Sequence, residues 1–212
     1  MTDSSVHLAG STLGTHNHIC AFFRQRDEEY GVLLPFITEG IEHGERAFHI
    51  VDPAHRADHM NRLKKAGVAV DAVEERQQLE VRDWHETHLR GGNFDPQGMI
   101  SWVEQMLERG RLAGFARTRS VSHMEWALLG GFSGSEDLVE YETRFNYMLS
   151  RYQDPVICVY DTARFSAGVV LDILRTHPMV ILEGVLQVNP FFIPPDEFLR
   201  ELHQKRHRSG VS

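Results

Sequence analysis

His18-Ile-Cys-Ala-Phe-Phe23, Arg24–Gly31 (RQRDEEYG), Val32–Glu45 (VLLPFITEGIEHGE) and Arg46-Ala-Phe-His-Ile-Val-Asp52 follow one another without interruption. A short apolar run leads through a polar connection into a mostly apolar helix. Gly44 stops the helix, and a second apolar run closes at Asp52-Pro53. Strand, helix and strand of this length close most easily as a crossover between parallel strands. Ligands of such sheets sit outside the carboxyl ends of the strands. The Phe23–Glu29 connection is therefore the first place to look for function. A phosphate-binding version needs glycines and a Lys-Ser/Thr pair at the helix start. This one reads Arg24, Gln25, Arg26, Asp27, Glu28 and Glu29. The frame of a nucleotide-binding unit is present without its phosphate cradle. Pro35 lies inside the helix, where it removes a hydrogen bond and crowds the carbonyl of Gly31, so a kink or an irregular first turn is expected.

The rest of the chain continues the alternation of strand and helix. Asp52-Pro53 opens a helix over about Ala54–Ala66, stopped by Gly67. Val68–Val73 reads as a connection or short strand, and Leu79–Arg82 as a short buried strand. Asp83 reads as the N-cap of a brief helix. Asp95-Pro96 is a helix start with its cap and first-turn proline, and Met99, Ile100, Val103, Met106 and Leu107 follow at helical spacing. Phe115–Val121 alternates as a strand, Ser122–Gly134 reads as a loop, and Glu136–Leu149 as a helix. VICVY, ending at Tyr160, is expected to be a central strand buried on both faces. Thr162–Thr176 reads as a helix, MVILEG and VLQV as a hairpin or bent strand, and a last helix follows Pro194-Pro195. The expected fold class is α/β, a mainly parallel sheet with helices on both faces. Residues 1–17 are expected to be a flexible arm, 18–202 one domain, and 203–212 a polar tail.

Composition bounds the function. The 212 residues are 42% apolar and 25% charged, which suits one globular domain. A net charge of −8 opposes direct attraction to nucleic acid or to an anionic membrane surface. No apolar stretch approaches a membrane span, and no signal-peptide pattern opens the chain. The two cysteines, Cys20 and Cys158, sit in strand-like runs and are expected to be reduced and buried, as in a cytoplasm.

Several segments resemble known families. FITEGIEHGERAFHIVDP resembles the corresponding helix and strand of RecA-type ATPases of the KaiC group. A broader resemblance runs from His18 to about Phe192, to the MEDS (DcmR-like) sensory-domain family. It is carried by His18-Ile-Cys20 with Phe22-Phe23, Pro35-Phe36-Ile37 with Glu39-Gly40, and Gly44-Glu45. Phe94-Asp95, Met124-Glu125-Trp126, Tyr141-Glu142, Cys158 with Tyr160-Asp161, and Thr176-His177-Pro178 continue it. The resemblance implies a RecA-like fold that has lost its ATP-binding loop, and a small-molecule sensor of the kind often joined to DNA-binding or kinase modules. This chain contains no helix-turn-helix pattern or kinase signature, so a separate protein partner is expected to carry the output.

The candidate ligand residues are those at the strand ends. They are Phe23, Arg24 and Arg26 after the first strand, Asp52 after the second, Glu125 and Trp126 after FARTRSV, and Tyr160 and Asp161 after VICVY. Glu125 beside an indole suits a binding pocket or a raised carboxyl pKa. Its plainer alternative is an exposed carboxylate over a core Trp126. Asp161 equally reads as a helix cap, Tyr160 as core, and Arg24 and Arg26 as partners of Asp27, Glu28 and Glu29. Aromatic Phe22, Phe23, Trp126 and Tyr160 favour a partly apolar ligand. His18, Cys20, Cys158 and His177 have the donor types of a metal site, but both cysteines are better read as core. His55, His59, His85 and His88 are expected on solvated faces. No cofactor is indicated by any motif. The leading expectation is a small-molecule-binding sensory or regulatory domain, and the sequence is compatible with a homo-oligomer. A residual RecA-type nucleotide binder and a metal-binding sensor are the alternatives, and no hydrolase motif supports an enzyme.

Overall fold

The computed structural model describes residues 5–129 and 135–208. The far half of the expected Ser122–Gly134 loop and the outermost residues of the arm and tail lie outside them. A small antiparallel hairpin, β1 (His7–Leu8) with β2 (Ser11–Thr12), precedes the main sheet. The sheet comprises β3 (His18–Phe23), β4 (Arg46–Val51), β5 (Leu79–Asp83), β6 (Thr118–His123), β7 (Val156–Asp161), β8 (Met179–Leu182) and β9 (Val185–Val188). Its spatial order is β5-β4-β6-β7-β3-β8-β9, parallel throughout except for the antiparallel β8–β9 hairpin at one edge. Helices α1 (Arg26–Glu42), α2 (Arg56–Lys65), α3 (Val70–Glu75), α4 (Pro96–Leu112), α5 (Ser135–Leu149), α6 (Ala167–Leu174) and α7 (Pro195–Arg208) complete the chain. Among the described residues no helix is long and apolar enough to cross a membrane.

β3, β4 and β6 are buried at every position and β7 at all but its last, because both faces of the sheet are covered. Successive side chains alternate between the faces. Ile19, Ala21 and Phe23 of β3 join Ala47, Val51, Ile157 and Val159 in a core with Leu33, Phe36 and Ile37 of α1. Cys20 and Phe22 join Phe48, Ile50, Cys158 and Tyr160 in the opposite core, against α4, α5 and α7.

The turn after α1 explains the Gly40–Glu45 run. Gly44 takes φ +75°, its N–H bonds the Ile41 carbonyl, and the Glu45 N–H reaches back to the Gly40 carbonyl. That is the helix-ending double bond of a Schellman turn. Glu45 then pairs with Arg117 at 2.7 Å and with the buried Arg119. Gly40 lets Arg119 pass: a Cβ there would stand 2.6 Å from Arg119 Cδ.

The structure departs from the expectations at several places. α1 runs unbroken through Pro35; Gly31 and Pro35 are both exposed, so the Gly31 carbonyl that loses its helical bond lies on the solvent side. Residues 5–13 of the expected loose arm form the hairpin, with Val6 and Leu8 buried in the α1-side core. Val70–Glu75 is helical, since Val70 and Val73 at spacing three both find that core. The residues after Asp83 form turns instead of a helix, held by the Asp83 carboxylate on the amides of His85 and Glu86. β6 begins at Thr118 and extends to His123, two residues beyond the expected end.

Candidate functional site

Four neighbouring parallel strands, β4, β6, β7 and β3, end side by side at Val51, His123, Asp161 and Phe23. Above these ends lies a cleft of about 210 Å³. Two residues, Arg24 and Gln25, join β3 to α1, which leaves no room for a phosphate loop. The first turn of α1 carries Asp27, Glu28 and Glu29, so its positive dipole end already has negative partners. Glu28 also folds back to accept the Arg24 amide at 3.0 Å.

The wall of the cleft is polar. Glu29 points inward from α1 and accepts from His123 Nε2 at 2.7 Å, with both residues buried. His123 Nδ1 is buried and has no hydrogen-bond partner. Burial alone pushes the His123 imidazole down, but the carboxylates of Glu29 and Glu125 overcome it and hold it above its ordinary value. Glu125 is 7% exposed and accepts the Asp161 amide at 3.1 Å. Burial raises its carboxyl pKa, partly offset by the nearby His123. Asp52 is spent on local structure: it accepts the Ala54 amide at 2.9 Å and lies 3.8 Å from His55 Nε2. Arg164 Nη1 stands 4.0 Å from the same carboxylate.

Behind the cleft, a polar chain runs through the α1-side core. Tyr30 Oη is 2.7 Å from His59 Nδ1, and His59 Nε2 is 2.9 Å from His49 Nδ1. Burial, then the charge of His123, pushes His49 down to about 3. Burial lowers His59 as well, helped by His49. Two histidines whose neutral form burial favours therefore stand beside one whose charged form Glu29 and Glu125 favour.

Of the expected ligand residues, Phe23, Arg24, Arg26, Asp52, Glu125, Tyr160 and Asp161 border the cleft. Tyr160 does so at its backbone side, because its ring belongs to the opposite core and its hydroxyl donates to Glu142 at 2.9 Å. Asp161 turns its carboxylate onto the Ala163 amide. Trp126 is not at the cleft. It is fully buried, stacked on His88 at 4.4 Å and packed on Phe94 at 4.4 Å. The strand ends at His123, and the short 3-10 turn Glu125–Leu128 sends neighbouring side chains to opposite sides. With Trp126, Phe22 and Tyr160 all turned into the far core, the expected partly apolar lining is replaced by charged and hydrogen-bonding groups.

The histidines expected on solvated faces divide. His85 is exposed and His55 partly so, whereas His59 and His88 are buried. Glu29, His123, His49 and His59 are absent from the sequence-derived site. Glu29 had a signal: it is in helical register with Leu33, Phe36, Ile37 and Gly40, the buried stripe of α1. Of the weighed metal donors, His18, Cys158 and His177 converge, and Cys20 stands apart with its thiol toward the Met179 carbonyl.

Comparison with known proteins places this arrangement. Residues 17–178 match the family model MEDS, described as the MEthanogen/methylotroph, DcmR Sensory domain. The chain is 26% identical over 176 residues to the transcriptional repressor DcmR of Methylorubrum extorquens (strain DSM 6343 / CIP 106787 / DM4). That alignment covers 82% of this chain and 63% of the repressor, so the chain spans less than two thirds of its relative. Among solved structures it is similar to the KaiC-like protein PH0186 of Pyrococcus horikoshii OT3, with a TM-score of 0.52 and 12% identity. The match covers 78% of this chain and 70% of that one, and it speaks for a RecA-like fold alone.

Proposed function

Since the chain belongs to the MEDS family of sensory domains, we propose that it binds a small polar molecule in the cleft above β3, β4, β6 and β7 and signals to an output partner. The observation that carries this reading is His123 Nδ1, a buried nitrogen without a partner on a residue of the cleft wall. A buried donor left unsatisfied costs on the order of 1–3 kcal/mol, and a ligand acceptor placed there recovers that cost. Glu125 beside it supplies a carboxyl group with a raised pKa. The lining holds Arg24, Arg26 and Arg164 as well as Glu29, Asp52 and Glu125, so it suits a molecule with both donors and acceptors.

The signal would leave through α1. Glu29 opens that helix and holds His123, so a ligand that changes the hydrogen bonding of His123 acts on the helix directly. The repressor relative suggests transcription as the output, through either a separate protein or another segment. A nucleotide ligand has less support, because the two-residue Arg24–Gln25 connection offers no glycine and no lysine.

The test is a thermal-shift screen of small polar metabolites, with titration calorimetry of each hit on wild type, His123→Gln and Glu125→Gln. Both variants are expected to bind at least about tenfold more weakly, the scale of one lost hydrogen bond to a charged group. A hit that binds both variants as tightly as wild type would overturn the assignment of the cleft.

A further inference from the structure

On the far side of the sheet from the cleft, four side chains bring their donor atoms within 4.8 Å of one another. They are His18 on β3, Cys158 on β7, Glu142 on α5 and His177 after α6, and all four are buried. We infer that His18, Glu142, Cys158 and His177 form a four-ligand site for a divalent transition-metal ion of the zinc type.

Donor separations support it. His18 Nε2 and Glu142 Oε2 are 3.2 Å apart, His177 Nε2 and Glu142 Oε2 3.5 Å. Cys158 Sγ stands 3.8 Å from His18 Nε2 and 3.8 Å from Glu142 Oε2. Zinc bond lengths put the edges of a tetrahedron of such donors at about 3.3–3.6 Å. Along these four edges closure needs a few tenths of an ångström, and the remaining two edges, from His177 to His18 and to Cys158, lie within 4.8 Å.

The ring tautomers supply an independent argument. The Asn146 amide nitrogen is fixed by three carbonyl acceptors, Glu142, Thr143 and Thr176 at 2.8–3.3 Å. Its oxygen must therefore accept from His18 Nδ1, 3.1 Å away, which leaves Nε2 facing the cluster. His177 Nδ1 lies 3.1 Å from the Ile173 carbonyl, which can only accept, and beside the Thr176 hydroxyl. The His177 Nε2 lone pair therefore also faces the cluster, and that atom is buried with no hydrogen-bond partner. Metal-bound histidines show this arrangement, with the outer nitrogen donating to a protein oxygen and the inner one bare. Glu142 is fully buried and is steadied by Tyr160 on its other oxygen. The Cys158 thiol can donate to Glu142, but a carboxylate facing two bare imidazole nitrogens is a poor internal arrangement without a cation. Two nitrogens, one sulfur and one carboxylate oxygen suit zinc and its spectroscopic substitute cobalt(II) better than hard cations.

The experiment is metal analysis of the purified 212-residue chain, followed by cobalt(II) titration of chelator-treated protein. The expected result is one equivalent of bound metal, as isolated or taken up, with the visible bands and the sulfur-to-cobalt charge-transfer band of a four-coordinate thiolate site. Uptake should also raise the melting temperature. Cys158→Ser should remove the charge-transfer band, and His177→Ala should abolish stoichiometric uptake. Cys20→Ser should keep both, since Cys20 is outside the set. Protein that neither contains metal as isolated nor takes up cobalt would overturn the site. So would a charge-transfer band that survives Cys158→Ser and disappears in Cys20→Ser. The cleft assignment is tested separately, because Glu29, His123 and Glu125, which carry it, are not among these four ligands.

Discussion

Glu29 Oε1 and His123 Nε2 stand 2.7 Å apart, 94 residues distant in the chain, one at the start of α1 and the other at the end of β6. Removing one partner of a buried charge pair leaves the other uncompensated, at a cost of about 3–5 kcal/mol. Glu29→Gln is expected to destabilise by that order, and adding His123→Gln should recover part of the loss. Urea denaturation of both variants measures it. A Glu29→Gln protein as stable as wild type would remove the pair from any role in holding α1.

The buried histidines make stability pH-dependent in a defined direction. The raised value of His123 means that its contribution is complete below about 6.5 and is lost as pH rises through the folded value. His49 and His88 behave oppositely. Burial pushes each down to about 3, so their contribution is complete above about 6.5 and is lost as pH falls toward 3. Below 6.5 only this second kind of change remains, and at pH 5 it amounts to about 2 kcal/mol per histidine. The melting temperature should fall between pH 7 and pH 5. His88→Phe, which keeps the stack on Trp126 without the titration, should make the fall shallower. An unchanged slope in that variant would contradict the buried, neutral His88.

Trp126 belongs to the core, so Trp126→Ala is expected to cost about 3–5 kcal/mol in the unliganded protein. Arg24→Ala at the exposed rim of the cleft should stay within about 0.5 kcal/mol of wild type. Paired melting curves without ligand distinguish the two positions. Equal, small shifts would return Trp126 to the cleft wall.

Much of the frame was legible because the pattern of apolar residues reports which segments are buried. β3, α1 and β4 were visible in the opening run, and the cleft was placed at the strand ends. Strand order was not legible. β3 and β4 are parallel but not neighbours, since β6 and β7 lie between them, and side-chain alternation carries no information about which strand sits beside which. The polar interior was missed for a different reason. Glu29 was read with its charged neighbours and Glu142 only as part of the Tyr141-Glu142 match, although each occupies a position on its helix's apolar stripe, Glu142 at four residues from Leu138 and one turn from Phe145. Trp126 was misplaced because a 3-10 turn follows neither the strand nor the helix period.

The interleaved sheet also fixes when this protein can fold during synthesis. Among the described residues β3 pairs only with β7 and β8, so Cys20 waits for Cys158, 138 residues later, before it acquires a neighbour in the sheet. Until Val156–Asp161 has left the ribosome, both long edges of β3 have no strand to bond, and β6 lacks one of its two partners. Such long-range pairing is slow and leaves apolar edges open meanwhile. The strand that begins the domain is thus among the last to be secured, and a nascent chain halted before Val156 carries its first sheet strand as an adhesive, unpaired segment.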